Sequence, residues 1–186
     1  MDYFRNVAKY KQRIAGKSIP IEKYCVRKAE KYFNNGGRLV LPAFELMLVW
    51  NWFNIVAKRR DLLENIYAQI VAKTEELQKR TCFRYILISV KFLWRVYFFN
   101  AVKDGSDDVV VREGLCLCKL LSGCCLRRMQ LPTLAEEALD EALGFKCTED
   151  RLLLPYAAAE LGYLYLSEGQ LTKAKRQLEF ARLDKN

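Results

Sequence analysis

Two segments near the end of this 186-residue chain carry the same spacing of small and large side chains. Gly123 is followed by Leu126, Ala135, Leu139 and Ala142, and Gly162 by Tyr165, Ala174, Leu178 and Ala181. Each residue of the second set lies 39 positions after its counterpart in the first. At helical periodicity the glycines and alanines fall where two antiparallel helices touch, and the larger residues fill the seam between them. A hairpin of this kind buries only part of its apolar surface by itself. It has to stack on neighbours, so the pattern constrains the fold to layered helix pairs.

Ala158 and Leu161 extend the second pattern, and together these positions fit a tetratricopeptide repeat, a helix pair of about 34 residues. The repeats are placed at about 116–149 and 155–186, within a C-terminal region at 109–186. The loop near 144–150 is about five residues longer than such a repeat needs. Residues 42–79 offer a third, repeat-like hairpin. With Asn51 aligned to the glycines, Leu63, Tyr67 and Ile70 take the later contact positions, but none of these residues is small.

The rest of the chain also reads as helices. Tyr3, Val7, Tyr10 and Ile14 follow helical spacing. Pro20 opens a helix that places Ile21, Tyr24, Cys25, Tyr32 and Phe33 on one side, and Gly36-Gly37 stops it. A helix at 42–59 ends in Lys58-Arg59-Arg60, and Asp61 with Glu64 resembles a capping box for the next one, at 61–79. Leu62, Leu63, Ile66, Ile70 and Leu77 line its buried side. Residues 83–102 are apolar almost all round, with Arg84, Lys91 and Arg95 in one narrow stripe. Three cations argue against a membrane span there and favour a central helix packed on several sides, or one whose full cover lies outside this chain. The expected class is all-α, a solenoid of antiparallel helix pairs.

Histidine is absent, which removes Ser-His-Asp and Cys-His catalysis and His-bound zinc sites. Seven cysteines are present, four of them (Cys116, Cys118, Cys124 and Cys125) inside one helical pattern. Zinc knuckles place their thiolates on turns, so these four read as small core residues. Gly36-Gly37-Arg38 lacks the phosphate-loop continuation, and the acidic pairs Glu136-Glu137, Asp140-Glu141 and Glu149-Asp150 read as solvated surface. The expectation is no enzyme, no cofactor and no metal. With no apolar leader in the first thirty residues, a reducing cytoplasmic or nuclear compartment is expected.

The net charge of +9 is uneven: residues 1–103 carry +12 and residues 104–186 carry −3. The basic half could meet an anionic membrane surface or RNA. In residues 1–33, nine cations face three anions among aromatics, yet those aromatics mostly occupy apolar faces, which weighs against nucleic acid.

Particular stretches carry a resemblance. They are residues 21–29, Leu41-Pro42-Ala43-Phe44-Glu45-Leu46-Met47, Trp50-Asn51-Trp52-Phe53 with Lys58-Arg59, the Gly114-Leu115-Cys116-Leu117 run, residues 121–127, Leu154-Pro155-Tyr156 and Glu160-Leu161-Gly162. With them, residues from about 20 to 184 resemble the tetratricopeptide repeat protein 39 family, which is grouped with fungal inclusion-body clearance proteins. The resemblance implies a non-enzymatic scaffold, with roles in lipid or sterol handling and in clearance of inclusions. Family members are several times longer, so this chain is expected to be a C-terminal portion or a truncated member, packing against the remainder. The family usually has Gly at the position of Trp52, and a Trp there has to turn outward or open the packing.

The expected partner is therefore a protein or peptide in a concave groove. The outward positions are Leu117, Leu120, Cys124 and Arg127 in the first repeat, and Tyr156, Ala159, Tyr163 and Leu166 in the second. Arg127, Tyr156, Tyr163 and Leu120 are the candidate contacts, with Arg127 and Tyr163 foremost because interfaces favour Arg and Tyr. The alternative is a peripheral membrane or RNA binder that uses the basic half.

Overall fold

The computed structural model describes the chain path over residues 2–10, 13, 14, 17, 18, 20–95 and 106–183, and side chains over 3–10, 21–81 and 109–182. The chain divides into two compact units, Met1–Pro42 and Ala43–Asn186.

The first unit holds helix α1 (Asp2–Asn6), a two-residue ribbon of β1 (Arg13–Ile14) and β2 (Lys17–Ser18), and helix α2 (Pro20–Asn34). The expected helix through Ile14 stops at Asn6. Its place is taken by a turn, with Lys9 N–H bonded to Asn6 O at 2.9 Å, and by the antiparallel pairing Arg13↔Ser18 and Ile14↔Lys17. Phe4 stacks on Tyr32 at 4.4 Å, which ties α1 to α2. Tyr24 and Ala29 are the buried apolar residues of α2, whereas Phe33 is 42% exposed. Gly36 and Gly37 end α2 at φ +62 and +81, with Gly37 N–H reaching back to Tyr32 O at 2.8 Å. This closes the last turn in a conformation that a side chain rarely adopts.

The regular elements described in the second unit are all helices. Helix α3 (Pro42–Val49) is followed by a single turn, α4 (Phe53–Val56), not by the continuous helix expected to 59. Asn51 breaks it at φ +57, and Trp52 N–H closes on Met47 O at 2.8 Å. Asn tolerates the left-handed conformation better than most residues, and its side chain accepts a bond from Asn54 at 2.8 Å. Trp52 turns outward, 48% exposed, beside Trp50, while Phe53 is fully buried.

Helix α5 (Arg60–Arg95) joins the two helices expected at 61–79 and 83–102. Residues 96–102 of that expectation lie outside the described residues, as do the side chains from 82 onward. Leu63, Ile70 and Leu77, one heptad apart, form the buried stripe, while Leu62 is 43% exposed. The capping box expected at Asp61 and Glu64 does not form: the helix begins at Arg60, so Asp61 pairs with Arg59 and Glu64 with Arg60.

Helix α6 (Ser106–Arg128) is the centre of this unit, packed against α5, α7 (Pro132–Leu143) and α8 (Leu153–Ser167). Helix α9 (Leu171–Leu183) packs on α8. The four clustered cysteines are all fully buried on α6, and three of them meet different helices. Cys116 meets the carbonyl of Ala142 on α7, Cys118 lies beside Thr74 on α5, and Cys124 lies near Glu160 on α8. Small apolar thiols let three helices approach one, and among the described residues no group of three or more Cys, Asp or Glu could hold a metal ion.

The two hairpins α6–α7 and α8–α9 repeat each other closely. A Cβ added to Gly123 would stand 2.5 Å from Leu139 Cγ and 3.4 Å from Ala135 O; one added to Gly162 would stand 2.7 Å from Leu178 Cγ and 3.4 Å from Ala174 O. The turns match too. Gln130 (φ +62) and Gly169 (φ +74) sit 39 residues apart, followed by Leu131 N–H to Leu126 O at 3.0 Å and Gln170 N–H to Tyr165 O at 2.8 Å.

Candidate functional site

Helix α8 carries a single charge between Leu152 and Leu166, that of Glu160, and the carboxylate is buried. An unpaired carboxylate in such a place is costly, and two guanidinium groups from the last turn of α6 answer it. Arg127 donates Nε–H to Glu160 Oε2 at 2.8 Å. Arg128 donates Nη1–H to the same oxygen at 3.0 Å and Nη2–H to Oε1 at 3.2 Å. Arg128 also donates to Cys124 O and, through Nε and Nη2, to Asn54 Oδ1 at 3.1 and 2.8 Å, and it lies over the Phe53 ring at 5.7 Å. The cluster therefore joins α4, α6 and α8. Arg128, with a side chain 6% exposed, is its buried member, and its pKa stays above the ordinary value because Glu160 outweighs the cost of burial.

The expected contact residues divide around this cluster. Leu120 is fully buried, and Leu117 and Cys124 are buried with it, so packing against neighbouring helices closes the first repeat's outward face. Leu120 is thus a core residue and not a contact. Arg127 is not a free contact either, because Glu160 holds it and its side chain is only 21% exposed. Its guanidinium lies over the Tyr163 ring at 5.8 Å, which brings together two residues expected to act together. Tyr163 is 50% exposed and Leu166 44% exposed on the open side of α8. Tyr156, two turns earlier, is half-buried, and that burial raises the pKa of its hydroxyl. The open face is therefore confined to α8.

The residues missed by sequence reasoning are Glu160, Arg128 and Asn54. The lone carboxylate in an apolar helix was the available signal for Glu160. Asn54 offered none, since its contact with Arg128 crosses 74 positions of chain.

A second buried carboxylate explains the long loop between the repeats. Glu113 Oε1 accepts N–H bonds from Thr148 at 2.9 Å, Glu149 at 2.7 Å and Asp150 at 3.3 Å, and Arg112 Nε donates to Lys146 O at 3.0 Å. Consecutive backbone N–H groups make an anion cradle, here filled by the protein's own side chain.

Another surface lies around α4 and the start of α5. Trp50, Trp52 and Ile55 are exposed there, and an open groove of about 640 Å³ is lined by Val56, Leu62, Asn65, Ile66, Gln69 and Ala72, among others. Arg59 and Arg60 beside it are paired with Asp61 and Glu64, which reduces the free positive charge. No helix among the described residues is long and apolar enough to cross a membrane.

Stacked helix hairpins with glycine at the helix contacts define a protein of the tetratricopeptide-repeat type. The family model for Iml2/Tetratricopeptide repeat protein 39 matches residues 1–129. Tetratricopeptide repeat protein ttc-39B of Caenorhabditis elegans is 31% identical over 176 residues, which make up 94% of this chain and 25% of that protein. The chain belongs to the Iml2/Tetratricopeptide repeat protein 39 family. It spans about a quarter of the length of that curated relative. No solved structure matches it.

Proposed function

We propose that this chain is a non-enzymatic scaffold segment that binds a protein or peptide on the open face of α8, with Tyr163 and Leu166 as the apolar contacts and Arg127 at their edge. The observation that carries the reading is the half-exposed Tyr163 ring, backed by a guanidinium that Glu160 already holds in place. A fixed aromatic next to a pre-oriented Arg loses little side-chain freedom on binding. The family resemblance sets the cellular context of this proposal: lipid or sterol handling, or clearance of protein inclusions, with the scaffold itself in the cytoplasm.

Tyr163→Ala is the informative substitution. Arg127→Ala disturbs the buried Glu160 as well as the surface, so a loss there mixes folding with binding. Captured protein partners should survive washing at about 0.5 M salt, where exposed charge contacts are screened. Tyr163→Ala should weaken that capture by about tenfold or more while leaving the circular dichroism spectrum intact. Retention on phosphatidylserine vesicles or single-stranded RNA that salt abolishes and Tyr163→Ala does not change would instead assign binding to the basic half.

A further inference from the structure

We propose that Cys116 and Cys147 are a dithiol–disulfide pair, oxidised by low-molecular-weight disulfides, whose cross-link fastens the loop between the two repeats to α6.

The placement is built from several directions. Cys147 lies on the 144–150 loop, and bonds to α6 hold both of its chain neighbours: Lys146 O accepts from Arg112, and Thr148 N–H donates to Glu113. Cys116 is one helical turn further along α6 and on the same side as Arg112 and Glu113. Its Sγ lies 3.4 Å from Ala142 O, at the end of α7 where the loop departs. Each thiol is the leading influence on the other's titration, which puts the two side by side. Cys147 is partly exposed, whereas Cys116 is fully buried. A reagent in solution therefore meets Cys147 first, with Cys116 behind it. Cys118, Cys124 and Cys125 are fully buried on α6. An S–S bond of about 2.05 Å requires the two sulfurs to approach further, a movement asked of Cys147 outside any helix and not of Cys116 inside α6.

The neighbouring Cys116 thiol holds the Cys147 pKa below the ordinary thiol value, while Cys147 in turn, together with burial, pushes Cys116 up. Cys147 therefore reaches the thiolate first, losing its proton to solvent. The thiolate attacks one sulfur of the small disulfide, forming a mixed disulfide and releasing one small thiolate. That thiolate takes the proton of Cys116. The Cys116 sulfur then attacks Cys147 Sγ, and the second small thiolate leaves and is protonated. In total the protein loses two hydrogens, and one disulfide becomes two thiols.

Treating the full chain with glutathione disulfide, followed by acid quenching, alkylation and peptide mass mapping, tests this. The expected product joins Cys116 to Cys147, raises Tm by roughly 5–10 °C, and reverts with dithiothreitol. Cys116→Ser, which can keep the bond to Ala142, should stop at a glutathione adduct on Cys147. Cys147→Ala should leave Cys116 unmodified. The proposal fails if wild-type Cys147 keeps its adduct without transfer, if the cross-link joins other cysteines, or if both thiols remain alkylatable after treatment.

Discussion

Gly123 and Gly162 each leave room for one leucine of the facing helix, and a methyl group at either position would stand within 2.8 Å of that leucine's side chain. Overpacking of a helix contact typically costs about 1–3 kcal/mol. Gly162→Ala should lower the unfolding free energy by that amount, read from a lowered urea midpoint, and should be partly rescued by Leu178→Ala, which empties the space the new methyl group needs. If Leu178→Ala simply adds its own loss, the close approach is not the cause. Glu160 governs a different residue-scale balance. Glu160→Ala strands the buried Arg128 guanidinium and should cost about 3–5 kcal/mol, read as a lowered midpoint in denaturant. The double variant Glu160→Ala, Arg128→Met should recover part of that loss, since it removes the uncompensated charge together with its partner.

At the scale of the element, α6 combines four buried thiols with neighbours on three sides. Burial pushes Cys118 up to about 11 and Cys125 up to about 12, and Cys124 well above its usual value. In the unfolded chain these thiols ionise near pH 8.5, so the folded state holds more protons above that pH. Stability is then fully present below about pH 8.5 and is lost as pH rises toward the folded-state values. Under reducing conditions, Tm should be flat from pH 7 to 8.5 and fall steadily to pH 10.5. Cys118→Ala with Cys125→Ala should flatten that decline. An unchanged alkaline slope would assign it to other groups, such as Tyr165, whose pKa is raised by burial and by its hydrogen bond to Glu136.

For the whole molecule, the absence of histidine leaves no ordinary side chain titrating between pH 6 and 7.5. Partner capture should vary less than about twofold across that window, as measured by titration calorimetry or surface binding. A steep change there would have to arise in the partner. Charge is distributed differently from what composition alone implies. On α5 the cations Arg60, Lys73, Lys79 and Arg80 are paired with Glu64, Glu75 or Glu76 on the same helix. These four cations are neutralised locally, so the net +12 of residues 1–103 is carried by the remaining Lys and Arg.

The sequence alone determined the helix pairs at the C-terminal end, because a glycine followed by Ala, Leu and Ala at fixed intervals leaves few other ways to pack. It also determined the stop at Gly36-Gly37, where only glycine adopts the required backbone readily. It could not show that α3 breaks at Asn51, that one helix runs from Arg60 to Arg95, or that α6 has neighbours on three sides. Those outcomes depend on which faces find neighbours, and periodicity does not say what lies opposite. The same limit applied to the candidate site. Arg127 and Tyr163 were legible as a pair of contact types, but Glu160, which holds Arg127, and the burial of Leu120 follow from helices meeting across distant stretches of chain. A buried carboxylate needs a partner, and only the tertiary arrangement decides which cation reaches it.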